Sequence, residues 1–580
     1  MLVRCANQVS PTGGPRDVTP PRVTLCEPPL FATRFTGNSV TVTFDEFITL
    51  KNPVTEVFIS PPLKAPLDNR LRGKSLVIKL TGKLDSNTTY SITFGNAITD
   101  LTEGNVLKGF NYVFSTGDIV DTLSLQGTLV SAFDHKPQKD VFVELYLNNN
   151  DTLPFDSLPL KVAPYYVTKS DENGYFIFNN LRNRKYKLFA LNDLSGDLIF
   201  NQPSEKIAFY DTLVEPVYFL FNRNDTIRKD TLHPGATKPV AASAKDAEVR
   251  RKTDSVHRAD SVRQMRSKYP SFPLFLFEET DSIERIVKST FTREAMVLFK
   301  FRFPVGDVKF IPLNFDSVVP WYLPEFSRLR DSVTLWITRP KTDSLLLKVV
   351  AGGRVIDTVH LEFQRKDISK RAIKKGMGEQ LGISSSAKSS GLNQYKNKML
   401  LSFSYPLALW NFSKVLLIED KDTLHPRISF TDSIQRTAVV AHKWKEDKQY
   451  TLIFPDSIFY GITHISHDSI RLSFKTKAER DFGNLVLSMN MDKRPGQYIV
   501  QLMDEKETLV YEEKVVNASG KIRFDFLTPG KYKIKAIHDR NFNGHWDTGN
   551  YRKKIQPEEV IYLPKIIEIR SNWDVEEEWD

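Results

Sequence analysis

Residues Gly174–Asp193 read GYFIFNNLRNRKYKLFALND, and residues Gly520–Asp539 read GKIRFDFLTPGKYKIKAIHD. The two stretches align without a gap at a shift of 346. Gly174, Phe178, Leu181, Lys185, Tyr186, Lys187, Ala190 and Asp193 recur as Gly520, Phe524, Leu527, Lys531, Tyr532, Lys533, Ala536 and Asp539. A second repeat, at a shift of 360, lays TYSITFGNAITD (Thr89–Asp100) on QYTLIFPDSIFY (Gln449–Tyr460). It matches Tyr90, Phe94 and Ile98 to Tyr450, Phe454 and Ile458, and continues to Phe114/Phe474 and Thr116/Thr476. Two different modules therefore follow one another, and the pair occurs twice. A period this long rules out a solenoid, so each unit must bury its own core.

Working outward, SVTVTF, SLVIKL, YSITF, VFVELYL and YIVQLM alternate or are β-branched, as strands half-buried in sandwiches are. At 580 residues and 41% hydrophobic content, the chain is long and apolar enough for roughly four to five domains of about 100 residues. The expected fold is all-β, a tandem array of β-sandwiches with two basic linkers. The net charge of +10 is local: 223–268 holds +6 and 365–398 holds +7, leaving −3 for the rest. Both stretches are poor in strand pattern. They read as solvated spacers or as tethers beside acidic headgroups or glycans, the first with a short helix at Ala247–Ser267. No basic face is interleaved with aromatics, so nucleic acid is not an expected partner.

The modules carry resemblances. Residues 18–117 run from TPPRVTLCEPP through SVTVTFDEFITL and YSITFGNAITDLTEGN to YVFSTGD. They resemble the bacterial Ig-like (SbsA-like) domain, and 396–478 resembles it more weakly. Residues 123–222 and 482–570 share a strand, an ENG or ASG turn, F-x-F and a K-Y strand. They resemble the transthyretin-like, carboxypeptidase-regulatory or Cna-B-like sandwich. Residues 270–364 are expected to form a fifth β-unit, Ig-like by company, and 365–395 a linker.

The chain opens MLVRCANQVSPTGGPRD. Cys5, followed by a Ser/Pro/Gly tether (1–17), resembles the lipid-attachment cysteine of envelope lipoproteins of the Bacteroides group. Met1–Arg4 lacks the charged and apolar stretches of a secretion signal, so a start inside a longer signal is expected. The resemblance implies outer-membrane anchoring through acyl chains on Cys5, with the periplasmic face favoured by the lack of an acidic run after it. Cys5 and Cys26 are too few for a disulfide framework.

HDRNFNGHWDTGNY supplies one candidate metal loop. Asp539, Asn541, Asn543 and Asp547 stand at positions 1, 3, 5 and 9, Gly544 at the turn, and His545 at the carbonyl position. That oxygen-rich spacing suits Ca2+, the one cofactor suggested, although Asn550 replaces the usual Glu at position 12. An Asn/Gly turn held by side-chain hydrogen bonds is the alternative. His464 and His467 have no third ligand nearby and weigh little as a zinc site. No nucleophile elbow, phosphate loop or dinucleotide fingerprint occurs, and an enzyme is not expected.

Asp-Ser/Thr-aliphatic occurs seventeen times. The tripeptide resembles the acceptor signal for protein O-glycosylation in the Bacteroides group, which implies modification at Thr122, Ser157, Thr226, Thr231, Ser255, Ser261, Ser332, Thr423 and Ser469. A turn that leads into a strand explains the same pattern. The expected function is that of a non-catalytic envelope lipoprotein, a spacer, scaffold or module that meets envelope proteins or glycans. A surface adhesin or glycan-binding accessory protein is the alternative.

Overall fold

The structure is a computed structural model. It describes residues 17–147, 153–202, 204–219, 268–279, 285–293, 295–316, 320–327, 330–338, 344–362, 380–387, 391–491 and 495–580. Strands make up 51% and helix 3%, and the array of β-sandwiches stands. The chain divides into two compact bodies: Met1–Thr280 with His545–Val560, and Asp281–Gly544 with Ile561–Asp580.

Alternation drives each sandwich. In Ser39–Phe44 every second residue (Val40, Val42, Phe44) is buried. That strand sits in a four-stranded sheet with Val23–Glu27, Ser75–Lys79 and Asp68–Arg72. A second sheet of Phe58–Ser60, Thr89–Thr93 and Asn111–Ser115 closes the first core. The fourth module repeats the plan around Leu401, Phe403, Tyr450 and Phe454.

The residues that recur in sequence are those that lock loops to cores. Tyr90 Oη accepts the Asp85 N–H at 2.8 Å. Thr116 Oγ1 accepts the Thr88 N–H at 2.9 Å and donates to the Asp85 carbonyl at 2.7 Å. At the 360-residue shift, Tyr450 accepts from Lys445 at 3.0 Å, and Thr476 accepts from Lys448 at 3.0 Å and donates to the Lys445 carbonyl at 2.5 Å. The other module type has its own lock. Tyr186 donates to the Arg182 carbonyl at 2.9 Å, and Tyr532 to the Thr528 carbonyl at 2.6 Å. A buried tyrosine that reaches back to upstream backbone satisfies its hydroxyl and fixes the strand entry, each bond worth about 1 kcal/mol.

Three sequence boundaries move. Strand Ser271–Glu278 does not open the third module. It lies parallel to Leu123–Ser131, with Gln126 opposite Ser271, and antiparallel to Lys206–Phe209, with Ile207 opposite Phe277. Leu274 and Leu276 are buried in the second module's core. The basic stretch 223–268 is thus an insertion within that module, between Val217–Tyr218 and Ser271–Glu278. Its expected helix falls outside the described residues. Gly127 permits the return: a Cβ there would lie 2.0 Å from the Phe272 carbonyl oxygen and 2.4 Å from the Phe176 ring. The last module likewise runs past residue 570. Asp574–Trp579 pairs parallel with Gly483–Asn490 and buries Trp579. Its glutamates had masked a strand that alternates around Val575 and Trp579. Within 365–395, Ile383–Ser385 pairs with Leu401–Phe403, and Leu381 and Leu392 are buried, so this part of the linker belongs to the fourth module.

The third module packs Met296–Phe301 and Ser332–Ile337 over Val308–Pro312 and Ser344–Ala351, around Phe299, Phe310 and Leu347. Trp336, from its strand Ser332–Ile337, enters the fourth module's core, edge-on to Tyr405 at 5.8 Å.

Candidate functional site

The polar chemistry of the first body gathers at one end of the second module. Strand Lys187–Asn192 runs out into Asp193, whose carboxylate accepts N–H groups from Ser195 (3.0 Å), Gly196 (2.7 Å) and Leu198 (2.9 Å). Buried Glu205 accepts from Leu194 (3.2 Å), Asn201 (3.1 Å) and Gln202 (3.1 Å). The two acids wrap the loop around themselves, and their lone pairs go to backbone donors. Glu144, on Phe142–Tyr146, is fully buried and receives the Tyr146 hydroxyl at 2.9 Å on Oε2, while Oε1 has no hydrogen-bond partner among the described residues. Burial pushes its carboxyl well above the ordinary value near 4.5. Repulsion from Asp193, Glu205 and Asp197 adds to this, and the Tyr146 bond opposes it.

A stability prediction follows. The unfolded chain releases the Glu144 proton above its ordinary pKa, while the folded chain holds it. The folded state then binds more protons, so this group's contribution is full below pH 4.5 and is lost as pH rises towards the raised folded value. Glu144→Gln keeps the shape and removes the titration. Melting curves from pH 4 to pH 9 should fall less steeply for the variant, which should melt higher than wild type at pH 8. Parallel curves would place the proton elsewhere.

The equivalent loop of the last module follows Asp539. This buried carboxylate accepts from Asn543 N–H (3.2 Å), Gly544 N–H (2.9 Å) and Gln497 Nε2 (2.8 Å). Burial opposes its ionisation, yet these donors, Gly544 first, hold it below the usual range. Asn541 Oδ1 accepts the Asn543 N–H at 3.1 Å. Asp539, Asn541 and Asn543 belong to the second body, and His545 and Asp547 to the first. The Asp547 backbone bonds Glu558 twice: its N–H donates to the side-chain Oε2 of Glu558 at 3.1 Å, and its carbonyl takes the Glu558 N–H at 2.9 Å. Among the described residues no group of three or more His, Cys, Asp or Glu is placed to hold a metal ion. His467 is buried against Phe459 while His464 is exposed, so the histidine pair is split between core and surface.

Residues 545–560 form an arm that packs within the first body, a role the sequence did not suggest. Tyr551 is buried edge-on to Phe189 (5.0 Å) and Phe209 (5.2 Å), and its hydroxyl donates to the Asp156 carbonyl at 2.9 Å. Thr548 Oγ1 donates to the Glu278 carbonyl at 2.7 Å, and Gln556 Nε2 to the Phe209 carbonyl at 2.9 Å. Gly549 lets the arm lie flat, since a Cβ there would come within 2.6 Å of the Phe277 ring. The apolar signal was one tyrosine inside NYRKKIQPEE, which composition reads as a loop.

Of the hydroxyls singled out in sequence, Thr122, Thr423 and Ser469 are exposed, and Ser157 and Ser332 are half-buried. Ser157 Oγ donates to the Pro154 carbonyl at 2.7 Å. Cys5, Thr226, Thr231, Ser255 and Ser261 lie outside the described residues. No helix among the described residues is long and apolar enough to cross a membrane.

Residues 17–116 match the bacterial Ig-like domain family. The match spans the first sandwich, including the Tyr90–Thr116 lock. No curated protein matches the chain. Among solved structures, the S-layer protein SbsC aligns at 13% identity over 94% of this chain and 66% of its own, with a TM-score of 0.14. BcpA, the major pilin subunit of Bacillus cereus, aligns at 9% identity over 79% and 98%, with a TM-score of 0.13. A group of titin domains aligns at 10% identity over 50% and 97%, with a TM-score of 0.11. Likeness at this level carries no argument about the chain. The Ig-like assignment rests on the family match and covers residues 17–116, whose lock the fourth module shares.

Proposed function

We propose that the protein is a non-catalytic, modular component of the bacterial cell envelope, a spacer or scaffold that presents loop ends and strand edges to envelope proteins or glycans. One observation carries this reading: a pair of self-cored sandwiches, each with its own tyrosine lock, is duplicated along the chain. Duplication of locked modules lengthens and repeats a surface without requiring a catalytic centre. In this reading the second and last modules are transthyretin-like, acyl chains on Cys5 anchor the chain to the outer membrane, and the exposed Asp-Ser/Thr-aliphatic hydroxyls carry glycans. Expressed with its native secretion signal, the Cys5→Ala variant should leave the membrane fraction for the soluble one. Unchanged membrane association would remove the anchor from the reading. Mass spectrometry of peptides around Thr122, Thr423 and Ser469 tests the glycans.

Calcium at Asp539, Asn541 and Asn543 remains a proposal. Millimolar Ca2+ should raise melting over chelator, by up to about 2.7 kcal/mol of stability at a hundredfold excess over Kd, and Asp539→Ala should erase the difference. Equal melting in both buffers returns the loop to a turn held by N–H donors. An adhesive role is favoured by one surface feature: Trp410, 42% exposed, stands edge-on to Phe430 at 5.1 Å.

A further inference from the structure

The second and last modules open at the same place. In the second, a cleft of about 450 Å3 lies between residues 209–212 and the return strand Ser271–Glu278, at Pro273 and Phe275. In the last, a cleft of about 430 Å3 lies between residues 561–565 and the return strand Asp574–Trp579, at Glu577 and Glu578. Backbone pairing makes the two seams equivalent. The Leu188 carbonyl takes the Tyr210 N–H at 3.0 Å, and 346 residues on the Ile534 carbonyl takes the Leu563 N–H at 3.0 Å. Leu274 pairs with Leu129, and Trp579 pairs with Met489, 360 residues after Leu129.

The two clefts differ in one respect. In the second module, residues 556–560 of the arm form a third wall, and Gln556 Nε2 donates to the Phe209 carbonyl at 2.9 Å. In the last module the described residues supply two walls and no third segment. Asp574–Trp579 has Gly483–Asn490 as its one strand neighbour among the described residues, which leaves its second backbone edge beside the cleft. Glu576 and Glu578 are exposed on one face of that strand and join no ion pair among the described residues. Lys565 is taken up by Glu577 at 2.5 Å.

An open strand edge pairs with an extended chain through main-chain hydrogen bonds, and the flanking side chains set which chain it takes. Residues two apart share a face, so lysine or arginine at alternate positions of an added strand would lie opposite Glu576 and Glu578. We propose that the seam of the last module takes an extended, lysine- or arginine-bearing segment of another polypeptide, which pairs along Asp574–Trp579 with its cationic side chains over Glu576 and Glu578. The segment stands where the arm stands in the second module. The inference goes beyond the envelope reading and does not depend on how the chain is anchored.

The test uses the full chain and a dye-labelled heptapeptide of alternating lysine and threonine, read by fluorescence anisotropy at low salt. Glu576→Gln/Glu578→Gln should weaken binding at least tenfold with the melting temperature retained. The same peptide with proline at each threonine keeps the charges but loses main-chain donors, and it should also bind at least tenfold more weakly. Asp422→Asn/Glu505→Gln removes two exposed carboxylates elsewhere in the same body and should bind as wild type. No binding by wild type, equal affinity of the Glu576/Glu578 variant, or an equal loss in the control would overturn the proposal. Equal binding of the proline peptide would show attraction by charge without strand pairing, and would overturn it as well.

Discussion

Trp336→Ala should break the second body into separately melting parts. Trp336 is fully buried, and its indole N–H donates to Glu325 Oε2 at 2.8 Å. The other Glu325 oxygen takes Arg436 at 2.6 Å, and the Arg436 guanidinium lies 5.2 Å from the indole centroid. Glu325 comes from the third module and Arg436 from the fourth, so one ring organises a joint between two sandwiches. Removing a buried tryptophan costs about 3–5 kcal/mol, and the cavity opens at the joint rather than inside one sandwich. At roughly 2–4 °C per kcal/mol for a body of this size, the main transition should fall by about 6–20 °C. Trp336→Phe keeps most of the packing, loses the Glu325 bond, and should cost much less. A single transition at the wild-type temperature for the alanine variant would show that the joint carries no coupling.

The second large effect is expected at Tyr551. Its ring fills a seat made by Phe189 and Phe209, and its hydroxyl reaches Asp156. Lys554 pairs with the Asp156 carboxylate, and the Tyr551 N–H bonds Glu279. Tyr551→Ala forfeits the aromatic burial, again about 3–5 kcal/mol, while the surface ion pair of Lys554 contributes little. The arm carries Arg552, Lys553 and Lys554 in succession, so trypsin reports its opening. Where opening is fast relative to cleavage, the cutting rate follows the open population and should rise by roughly 100- to 5,000-fold. Tyr551→Phe, which loses one hydrogen bond worth about 1 kcal/mol, should rise only severalfold. Equal cutting of wild type and Tyr551→Ala would mean that the ring does not hold the arm.

Much of the fold was legible because the repeated residues are structural ones. Tyr90, Thr116 and Tyr186 recur as Tyr450, Thr476 and Tyr532 since each pair makes the same bond to backbone at the same spacing. Local alternation placed Val40, Val42 and Phe44 correctly inward. Partner choice was not legible. Nothing local in SFPLFLFE says that it pairs with residue 126 across a 46-residue basic stretch, and the glutamates of DVEEEW hide an inward Trp579. The buried acids were missed for a related reason. Glu144 sits among apolar neighbours whose sequence gives no hint that Tyr146 bonds it. Glu205 and Glu558 look like surface residues until their loops are seen folded around them. The candidate calcium spacing, by contrast, was plain in the sequence, and what the structure adds is where Asp539 directs its oxygens.

The return strand also sets an order of events in time. Leu123–Ser131 and Lys206–Phe209 gain their shared neighbour only when Ser271–Glu278 has been made. The seat around Phe189 and Phe209 is completed by Tyr551, whose hydroxyl bond to Asp156 joins residues 395 positions apart. Long-range closures of this kind are slow, and meanwhile they leave apolar surface and strand edges bare. A chain that emerges from its N-terminus therefore carries an open edge until residue 278 and an unfinished aromatic seat through the whole of Asp281–Gly544. A holding chaperone would have its longest engagement over that interval.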